Sequence, residues 1–345
     1  MKSTISILAI SIAIAGPVAA DEQLSVVGSW SGLPLHKQYE KPFWDEKMPA
    51  ASGGQITAAL TTHDQMGISG GDVFRMLGQG VFDVGMTVAD YAVSDSAALE
   101  GFDVPLISAD AAGAREMVKA SRPLMDEIFA DVFNAKVLGV APYPPQVVFC
   151  NAEISSLEDL KGKKVRASGR MTGKLLEALG AEAVSVSFGE VPGALQKGVV
   201  DCAVTGAGSG YSAGWWEVST HLMPIPLGGW DPVVTAMNLD KWNSLSGEDQ
   251  AVIQKAVTEE LEAPAWETAQ TALATDVACL TGTGDCPTEA RSMVLVEASE
   301  ADQATARNIL VSEVLPDWAE RAGGDWGQRW NDTVGAATGV QIELK

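Results

Sequence analysis

A run of short strands and helices between residues 160 and 206 is the feature that most constrains how this chain can fold. Strands that alternate with such short helices indicate parallel pairing in an α/β domain. Gly180 and Gly198 fall where two of the helices should end, a preferred position for glycine. The apolar pattern predicts strands at 164–167, 184–187 and 199–205 and helices at 172–179 and 191–197. Ligands of such sheets bind beyond the carboxyl ends of the strands, and Arg166 is near the end of the first.

This stretch contains two motifs, D-L-K-G-K-K-V-R at 159–166 and E-V-P-G-A-L-Q-K-G-V-V-D at 190–201. Both resemble the core of the DctP-type substrate-binding proteins of TRAP transporters, and a looser similarity runs from about residue 28 to residue 339. The resemblance implies a two-lobed α/β protein of the periplasmic-binding-protein (Venus-flytrap) type, with mixed sheets, that closes on an organic acid. It also implies that the acid passes to a membrane permease driven by an ion gradient. The protein would do no chemistry on the acid and would not be an enzyme.

Arg166 is the residue that the resemblance singles out. In the family, the arginine that ends the first motif pairs with the ligand carboxylate, and Arg166 has that position. The chemistry agrees, because a planar guanidinium binds a carboxylate through two hydrogen bonds and keeps its charge when buried. The alternative from the residues alone is an ion pair with a neighbouring acid at the surface.

The chain departs from the family pattern at three positions, which leaves the identity of the acid open. Gln146 stands where some relatives have a second arginine, and Thr205 where sialic-acid-type relatives have an asparagine. Cys202 replaces a common glycine. We expect Gln146 and Thr205 to add hydrogen bonds to the ligand from the lobe of Arg166. Arg170, in the turn before the next helix, is either a second positive contact or a solvated arginine.

Aromatic residues at predicted strand ends and in loops are candidates for the walls of the cleft. Trp30, Tyr91 and Trp230 are the best placed of them, and the alternative for each is ordinary core or hinge packing. If they line the cleft, an aromatic or otherwise bulky, hydroxylated monocarboxylate fits better than a small dicarboxylate.

The length of 345 residues is natural for two lobes. We assign residues 21–140 plus 210–250 to the first lobe and residues 141–209 plus 251–345 to the second. The Gly/Ser-rich segment 206–214 is expected to be a flexible return crossing between them. Two long helices are expected, one at 112–135 that breaks near Pro123 and one at 250–278 that is kinked by Pro264.

The first twenty residues have the pattern of a secretory signal peptide, with a short apolar core and V-A-A before Asp21. The sequence therefore predicts a periplasmic protein that is not itself embedded in a membrane. The formal net charge of −22 gives it no general attraction for nucleic acid or for an anionic membrane. An anion site on such a chain must be a local positive pocket.

The four cysteines of an exported chain suggest disulfides. Cys279 and Cys286 flank a Gly/Thr-rich loop and are the favoured pair, whereas Cys150 and Cys202 are either a second pair or two buried thiols. Three connectivities are formally open. The cysteines lack the spacing of a zinc site, and the three histidines lack ligand spacing, so we expect neither a metal nor a cofactor.

Two rival functions were weighed against the resemblance. G-I-S-G-G at 67–71 matches the nucleophile elbow of a secreted α/β-hydrolase, with Ser69 as nucleophile and with His221 and Asp201 as its partners. A binding protein of an ABC importer is the closer rival, because physical reasoning on the lobes does not separate the two transporter classes.

Overall fold

The computed structural model describes residues 22–344. The signal peptide predicted at residues 1–20 lies outside this range. The described residues form two mixed β-sheets, each flanked by helices, as the resemblance implied. We call the part of the molecule built on the first sheet the first lobe and the part built on the second sheet the second lobe.

The first sheet has the strand order β2-β1-β3-β10-β4. Strands β1, β2 and β3 are parallel, and β10 runs antiparallel to both of its neighbours. These strands are β1 Glu22–Gly28, β2 Ile56–Thr62, β3 Val84–Val88, β4 Ala135–Ala141 and β10 Val233–Asn238.

The second sheet has the order β11-β9-β5-β8-β6-β7 and contains the strands of the stretch 160–206. Its strands are β5 Gln146–Cys150, β6 Lys164–Ala167, β7 Glu182–Ser185, β8 Cys202–Gly206, β9 His221–Met223 and β11 Val294–Leu295. Strand β6 pairs in parallel with β7 and β8, as predicted, whereas β5 is antiparallel to β8 and β9. The last predicted strand begins three residues later than expected, because the chain is still turning after Gly198 (φ +68°).

The helices cover both faces of the sheets. The α-helices are α1 Met48–Ala51, α2 Val73–Gly78, α3 Ala111–Phe133, α4 Arg170–Ala178, α5 Val191–Gln196, α6 Ala207–Ser212, α7 Leu239–Ser244, α8 Gly247–Ala256, α9 Ala263–Thr281, α10 Glu300–Ile309, α11 Leu315–Ala322, α12 Trp326–Trp330 and α13 Ala336–Thr338. Wider π-helical turns occur at His36–Glu40, Phe43–Lys47, Val257–Glu262, Leu310–Val314 and Asn331–Gly335. Short 3₁₀ turns occur at Gly70–Asp72, Ala89–Ala92, Ala97–Phe102, Leu157–Leu160, Phe188–Glu190 and Trp215–Glu217.

The predicted long helix with Pro264 is present as α8 and α9, joined through the π-helical turn Val257–Glu262. Proline has no N–H group, so the carbonyl of Glu260, four residues earlier, loses its usual helical donor. The ammonium of Lys47 donates to that carbonyl at 3.1 Å. The proline therefore interrupts the regular ladder without ending the helix. Helix α9 packs Trp266 in the first lobe and Leu280 in the second, so it links the two lobes.

The predicted break near Pro123 is wrong. Helix α3 runs without interruption from Ala111 to Phe133, with Pro123 inside it. A proline in a helix interior costs about 3 kcal/mol. The buried face on both sides of it, which includes Val118, Met125 and Phe129, packs into the first-lobe core and offsets that cost.

The segments where the chain passes between the sheets differ in part from the assigned boundaries. The first passage lies between β4 and β5, close to the expected residue 141. The return passage lies between β9 and β10, after Met223, and not at residue 210. The Gly/Ser-rich segment that was expected to cross is the buried helix α6, which packs against α9. Small residues permit that close packing, because a Cβ atom at Gly208 would lie 2.5 Å from the Asp276 carboxylate.

Two disulfides are formed, Cys150–Cys202 and Cys279–Cys286. The first pair was left open by the sequence, and it joins residues that lie opposite each other on β5 and β8. The second closes the loop after α9. Among the helices of residues 22–344, none combines the length and the apolar character that a membrane-spanning segment needs.

Candidate functional site

Arg166 lies in the interior, at the carboxyl end of β6. Only 3% of the residue is exposed. Its Nε donates to the Val186 carbonyl at 3.0 Å and its Nη1 to the Val204 carbonyl at 2.7 Å. These carbonyls belong to the chain just beyond β7 and to β8, the two neighbours of β6. The backbone therefore orients the guanidinium, while Nη2 makes no hydrogen bond to any residue in 22–344.

The guanidinium of Arg166 forms no ion pair with a carboxylate in the described part of the chain. Its planar group instead lies 5.9 Å from the centre of the Trp215 ring. Burial lowers the pKa of Arg166, and the charges of Tyr91, Asp231 and Asp90 oppose this shift. A buried arginine whose hydrogen bonds go to backbone carbonyls is a pre-formed site for a carboxylate, because the ligand brings the missing counter-charge.

Three buried carboxyl groups lie near Arg166 in a cluster, formed by Asp90, Asp103 and Asp231. Each offers an oxygen within 4.8 Å of the others. Asp90 follows β3, Asp103 ends the 3₁₀ turn Ala97–Phe102, and Asp231 precedes β10. Asp103 accepts a hydrogen bond from the Asp231 N–H at 3.0 Å. None of the three acids was among the ligand contacts predicted from the sequence.

The environment of the acidic cluster favours protonated carboxyl groups. Burial raises the pKa of Asp90 well above its ordinary value, the charges of Asp103 and Glu100 add to the rise, and Arg166 opposes it. Burial, with the charges of Asp103 and Asp90, likewise raises the pKa of Asp231. Burial also raises the pKa of Asp103, to about 6. Hydrogen bonds from the 230–231 backbone stabilise the ionised carboxylate and so oppose this rise. Such strong shifts are characteristic of functional sites.

Gln146 and Thr205 lie where the second sheet approaches this cluster. Gln146 is fully buried, and its Nε2 donates to Asp231 Oδ1 at 2.8 Å, while its Oε1 has no partner in residues 22–344. Thr205 is buried on β8, opposite Val147 of β5. The register of β8 places Thr205 two residues beyond Ala203, the partner of Arg166, and therefore on the same face of the sheet as Arg166.

The predicted aromatic walls separate into two groups. Trp30 and Tyr91 are half-buried at strand ends of the first lobe, and burial raises the pKa of the Tyr91 phenol. The Trp30 ring lies 5.4 Å from Phe188, a second-lobe residue. Trp230 instead packs in the first-lobe core beside Trp266, and its indole N–H donates to the Ser108 carbonyl at 3.3 Å. Core packing therefore accounts for the burial of Trp230.

Arg170 is not beside Arg166. It is exposed at the start of α4 and lines an outer groove of about 600 Å³, together with Lys174, Asp90 and Tyr91. This groove is lined by both lobes and reaches Asp90 from the solvent side. Arg170 is thus placed at the mouth of the cleft.

The lobes touch each other at the site. Asp90 of the first lobe faces Gly169 of the second, and a Cβ atom at position 169 would lie 2.0 Å from Asp90 Oδ2. Several buried polar atoms around this contact lack partners in residues 22–344, namely Trp30 Nε1, Thr87 Oγ1, Asp90 Oδ1, Gln146 Oε1, Ser168 Oγ and Trp215 Nε1. Buried polar atoms are nearly always hydrogen-bonded, so this concentration marks a place where a polar ligand fits.

The hydrolase alternative is not supported by the structure. Ser69 caps the short turn Gly70–Asp72, where its Oγ accepts from the Gly71 N–H. His221 lies on β9 of the second sheet and bonds Thr220. Asp201 accepts from the Lys164 N–H at 2.8 Å and so holds the start of β6. No hydrogen bond in the described residues connects the three, so they form no nucleophile and base.

Asp90, Asp103, Asp231, Phe188 and Trp215 are not among the ligand contacts predicted from the sequence. A weak signal existed for the acids, because each stands at the end of an apolar segment and two of them are near a proline, in F-D-V-P and W-D-P. Asp231 has φ of +40°, which is uncommon for a residue with a side chain. Only the fold shows that the three segments meet.

Residues 31–308 match the family model of the bacterial extracellular solute-binding proteins, family 7 (DctP). The chain is 32% identical over 142 residues to the ectoine-binding periplasmic protein TeaA of Halomonas elongata, a match that spans 40% of this chain and 40% of that protein.

Solved structures share the architecture over nearly the whole chain. The extracytoplasmic solute receptor DctP7 of Bordetella pertussis, which binds pyroglutamic acid, has a TM-score of 0.79 at 22% identity and covers 91% of this chain and 99% of its own. A TRAP periplasmic solute-binding protein of Desulfovibrio salexigens with bound orotic acid has a TM-score of 0.79 at 19% identity, with coverages of 92% and 98%. At these identities the likeness shows the fold. The match to the family model over residues 31–308 favours the TRAP over the ABC-importer interpretation.

Proposed function

Because the chain belongs to family 7 of the bacterial extracellular solute-binding proteins, we propose that it captures a small organic acid through the carboxylate, with Arg166 as the partner. The single observation that carries this proposal is the buried guanidinium of Arg166, which two backbone carbonyls orient and which no carboxylate of residues 22–344 pairs. A buried charge without a counter-ion is costly in free energy. A ligand carboxylate supplies that counter-ion, so its ion pair with Arg166 favours binding.

The ligand enters between the lobes and is enclosed when they close. Gln146 and Thr205 add polar contacts from the second lobe, and Trp30 and Tyr91 form the opposite wall, with Phe188 beside Trp30. Closure excludes water and so strengthens the ion pair with Arg166. This aromatic lining supports a ligand with a ring or another bulky body. The ligands named for the relatives, ectoine, pyroglutamic acid and orotic acid, are ring compounds and belong in the first panel.

The protein acts outside the cytoplasm as the solute receptor of a TRAP transporter. The signal peptide predicted at residues 1–20 supports a periplasmic location. The closed form delivers the acid to membrane permease subunits that an ion gradient drives. The lobes themselves change no bond in the ligand.

A thermal-shift screen tests the proposal. The full chain is exported to the periplasm, purified, and heated with a panel of ring carboxylates, sugar acids, C4-dicarboxylates and their amides. A ligand at a hundred times its Kd adds about 2.7 kcal/mol to the stability of the folded state, which raises the Tm by several degrees. We expect stabilisation by one class of carboxylate and none by its amide.

Arg166→Ala is the variant that tests the site. It should weaken binding of the best ligand at least 100-fold, since removing one member of a buried charge pair costs about 3–5 kcal/mol. Arg170→Ala is the matched control, because Arg170 is exposed at the mouth of the cleft, and it should change the affinity less than threefold. Full affinity in a folded Arg166→Ala protein would refute the assignment.

A further inference from the structure

The charge of the site is not that of a simple anion receptor. Asp90, Asp103 and Asp231 bring three carboxyl groups together within 4.8 Å, and Arg166 contributes one positive charge close to them. An anionic ligand would add a fourth carboxylate to this enclosed region. Like charges this close strongly disfavour one another where water is excluded.

Two polar groups at the cluster lack a hydrogen-bond partner in the described part of the chain. The side chain of Asp90, which is 8% exposed, makes no hydrogen bond with residues 22–344, and its Oδ1 is fully enclosed. Gln146 is 0% exposed, and its Oε1 has no donor although its Nε2 is bonded to Asp231. Gln146 Oε1 is an acceptor, and Asp90 Oδ1 is one when the Asp90 carboxyl is ionised, the state that a neighbouring cation favours. A group that satisfies them must therefore donate hydrogen bonds, and beside a carboxylate a cationic donor is favoured.

The other two acids are already engaged, which distinguishes Asp90 within the cluster. Asp231 Oδ1 accepts from Gln146 Nε2 at 2.8 Å, and Asp103 accepts from the Asp231 N–H at 3.0 Å. Asp103 is also packed against Gly229, where a Cβ atom would lie 1.7 Å from its Oδ1. Asp90 instead faces Gly169 across the cleft, at the contact where the lobes close.

From this arrangement, and resting on the proposed function, we propose that the physiological ligand is a zwitterion. Its carboxylate pairs with Arg166, and its cationic nitrogen, an ammonium or an amidinium with N–H groups, donates to Asp90 and to Gln146 Oε1. Asp103 and Asp231 lie behind Asp90 and hold the cation by charge. The ligand thus brings one charge of each sign and satisfies the two opposite ends of the site.

The proposal accounts for features that an anion alone leaves unexplained. An anion would reach Arg166 but leave Asp90 enclosed without a partner, so protons would have to neutralise the acids. The charged and titratable groups that face Asp90 are Asp103, Glu100, Asp231, Arg166 and Tyr91. Apart from Arg166, each of them is neutral or negative, so a ligand cation is the natural counter-charge.

Matched pairs of ligands with the same skeleton test the proposal by isothermal titration calorimetry. Pipecolate is compared with cyclohexanecarboxylate and proline with cyclopentanecarboxylate, because the members of each pair differ only in a ring NH₂⁺ against CH₂. The best hit of the carboxylate screen is compared with its own analogue that lacks, or has gained, the cationic nitrogen. We expect the zwitterion of the best pair to bind at least 30-fold more tightly, as is usual for a charge-assisted contact in an enclosed site.

The variant Asp90→Asn keeps the shape of the side chain and removes its charge. It should weaken the zwitterion at least tenfold and leave the carbon analogue unchanged or slightly tighter. Asp276→Asn is the matched control, because Asp276 is a mostly buried acid that lies beside α6 and outside the cluster. It should preserve the ratio of the two affinities.

Proton exchange gives a second readout. Titrations in buffers of different ionisation enthalpy should show proton release when a zwitterion binds, because the cation favours ionised Asp90 and Asp231. Proton uptake would mean that protonated acids receive an anion, and it would overturn the proposal. A preference for the carbon analogue in every pair would do the same.

Each titration is repeated with EDTA and with added Ca²⁺, Mg²⁺ or Na⁺. If an anion binds tightly only with one of these ions, the cluster holds a metal cation and the zwitterion proposal is wrong. The proposed function has a separate failure: no carboxylate of either kind binds, or Arg166→Ala has no effect. In that case this inference falls with it, whereas tight binding of a metal-free anion refutes only the inference.

Discussion

The two sides of the cleft were built in different ways. The second-lobe side, residues 160–206, is continuous in sequence, and its motif residues mostly stabilise turns. Asp159 caps a 3₁₀ turn, and Asp201 holds the start of β6. Gly162 and Gly180 have positive φ, and the N–H of Gly162 donates to the carbonyl of Gly180. Only Arg166 of the recognised motif reaches the site. The first-lobe side consists of Asp90 and Asp103, from neighbouring segments, and of Asp231, which is 128 residues beyond Asp103.

This difference shows that the sequence motif reflects the strands and turns of the second-lobe side more than it reflects the ligand. The adjacent strands β6, β7 and β8 place one arginine at their carboxyl ends. An arginine in this position suits any carboxylate. The acidic cluster lies on the opposite lobe and sets what else the ligand must carry. Selectivity is therefore expected from the side that no contiguous motif marks.

The largest expected effect concerns the covalent link within the second-lobe side. Cys150–Cys202 joins residues 52 apart, and Cys279–Cys286 residues 7 apart. In the chain-entropy view, losing the first disulfide costs about 4 kcal/mol and losing the second about 2 kcal/mol of the free energy of unfolding. Urea denaturation of Cys150→Ala/Cys202→Ala and of Cys279→Ala/Cys286→Ala measures this. Equal losses would contradict the view that the motif-bearing sheet relies on the longer link.

A second prediction concerns the geometry of the guanidinium. Arg166→Lys keeps the charge but cannot span the Val186 and Val204 carbonyls and still present two donors to a carboxylate. We expect ligand affinity to fall about 30-fold, or about 2 kcal/mol, with little change in Tm. Calorimetric titration of the best carboxylate measures the change. An affinity within threefold of the parent would mean that the positive charge alone, and not the orientation of the guanidinium by the strands, accounts for binding of the acid.

A third prediction probes the contact between the two sides. Gly169→Ala introduces a Cβ atom that would lie 2.0 Å from Asp90 Oδ2, so the lobes must close less completely. Affinity should fall about tenfold, or about 1.4 kcal/mol, while the Tm of the unliganded protein stays nearly constant. Gly189→Ala is the control, because a Cβ atom there meets nothing within 4 Å. An unchanged affinity in Gly169→Ala would mean that the contact between Asp90 and Gly169 does not limit closure of the lobes on the ligand.

The last prediction has the smallest effect per pH unit, and it separates the cleft acids from a buried acid elsewhere. Burial raises the pKa of Asp276 to about 7 from an ordinary 3.8. The folded state therefore binds more protons than the unfolded state between these values, and stability falls as the pH rises from about 4 to 7. The slope is on the order of 1 kcal/mol per pH unit at most.

Asp276→Asn should remove this part of the pH dependence, which urea denaturation at several pH values measures. A saturating ligand should leave that part intact, since it changes only the acids of the cleft. If Asp276→Asn leaves the slope as it was, the carboxyl of Asp276 is not the group that titrates.

The sequence predicted the strands, helices and turns of residues 160–206 well, because neighbouring residues decide the structure there. The strand 164–167, the helix after it and the positions of Gly180 and Gly198 follow from local periodicity and from the turns that glycine allows. The prediction failed where tertiary packing overrides local preference. Pro123 lies inside a continuous helix because the first-lobe core packs around it, and the Gly/Ser-rich segment is a helix because α9 covers it.

By itself, the sequence determined the parallel strands of residues 160–206, the position of Arg166 at the end of one of them, and the resemblance to the family, because each depends on spacing along the chain. The two-sheet architecture followed from that resemblance. Tertiary structure alone decided that Cys150 and Cys202 form a bond, that Trp230 lies in the core, and that three acids converge near Arg166. Their convergence depends on how β3, the turn at 97–102 and the approach to β10 pack together. Asp231 is 128 residues beyond Asp103, and a contact between segments that distant leaves no periodic signal in either of them.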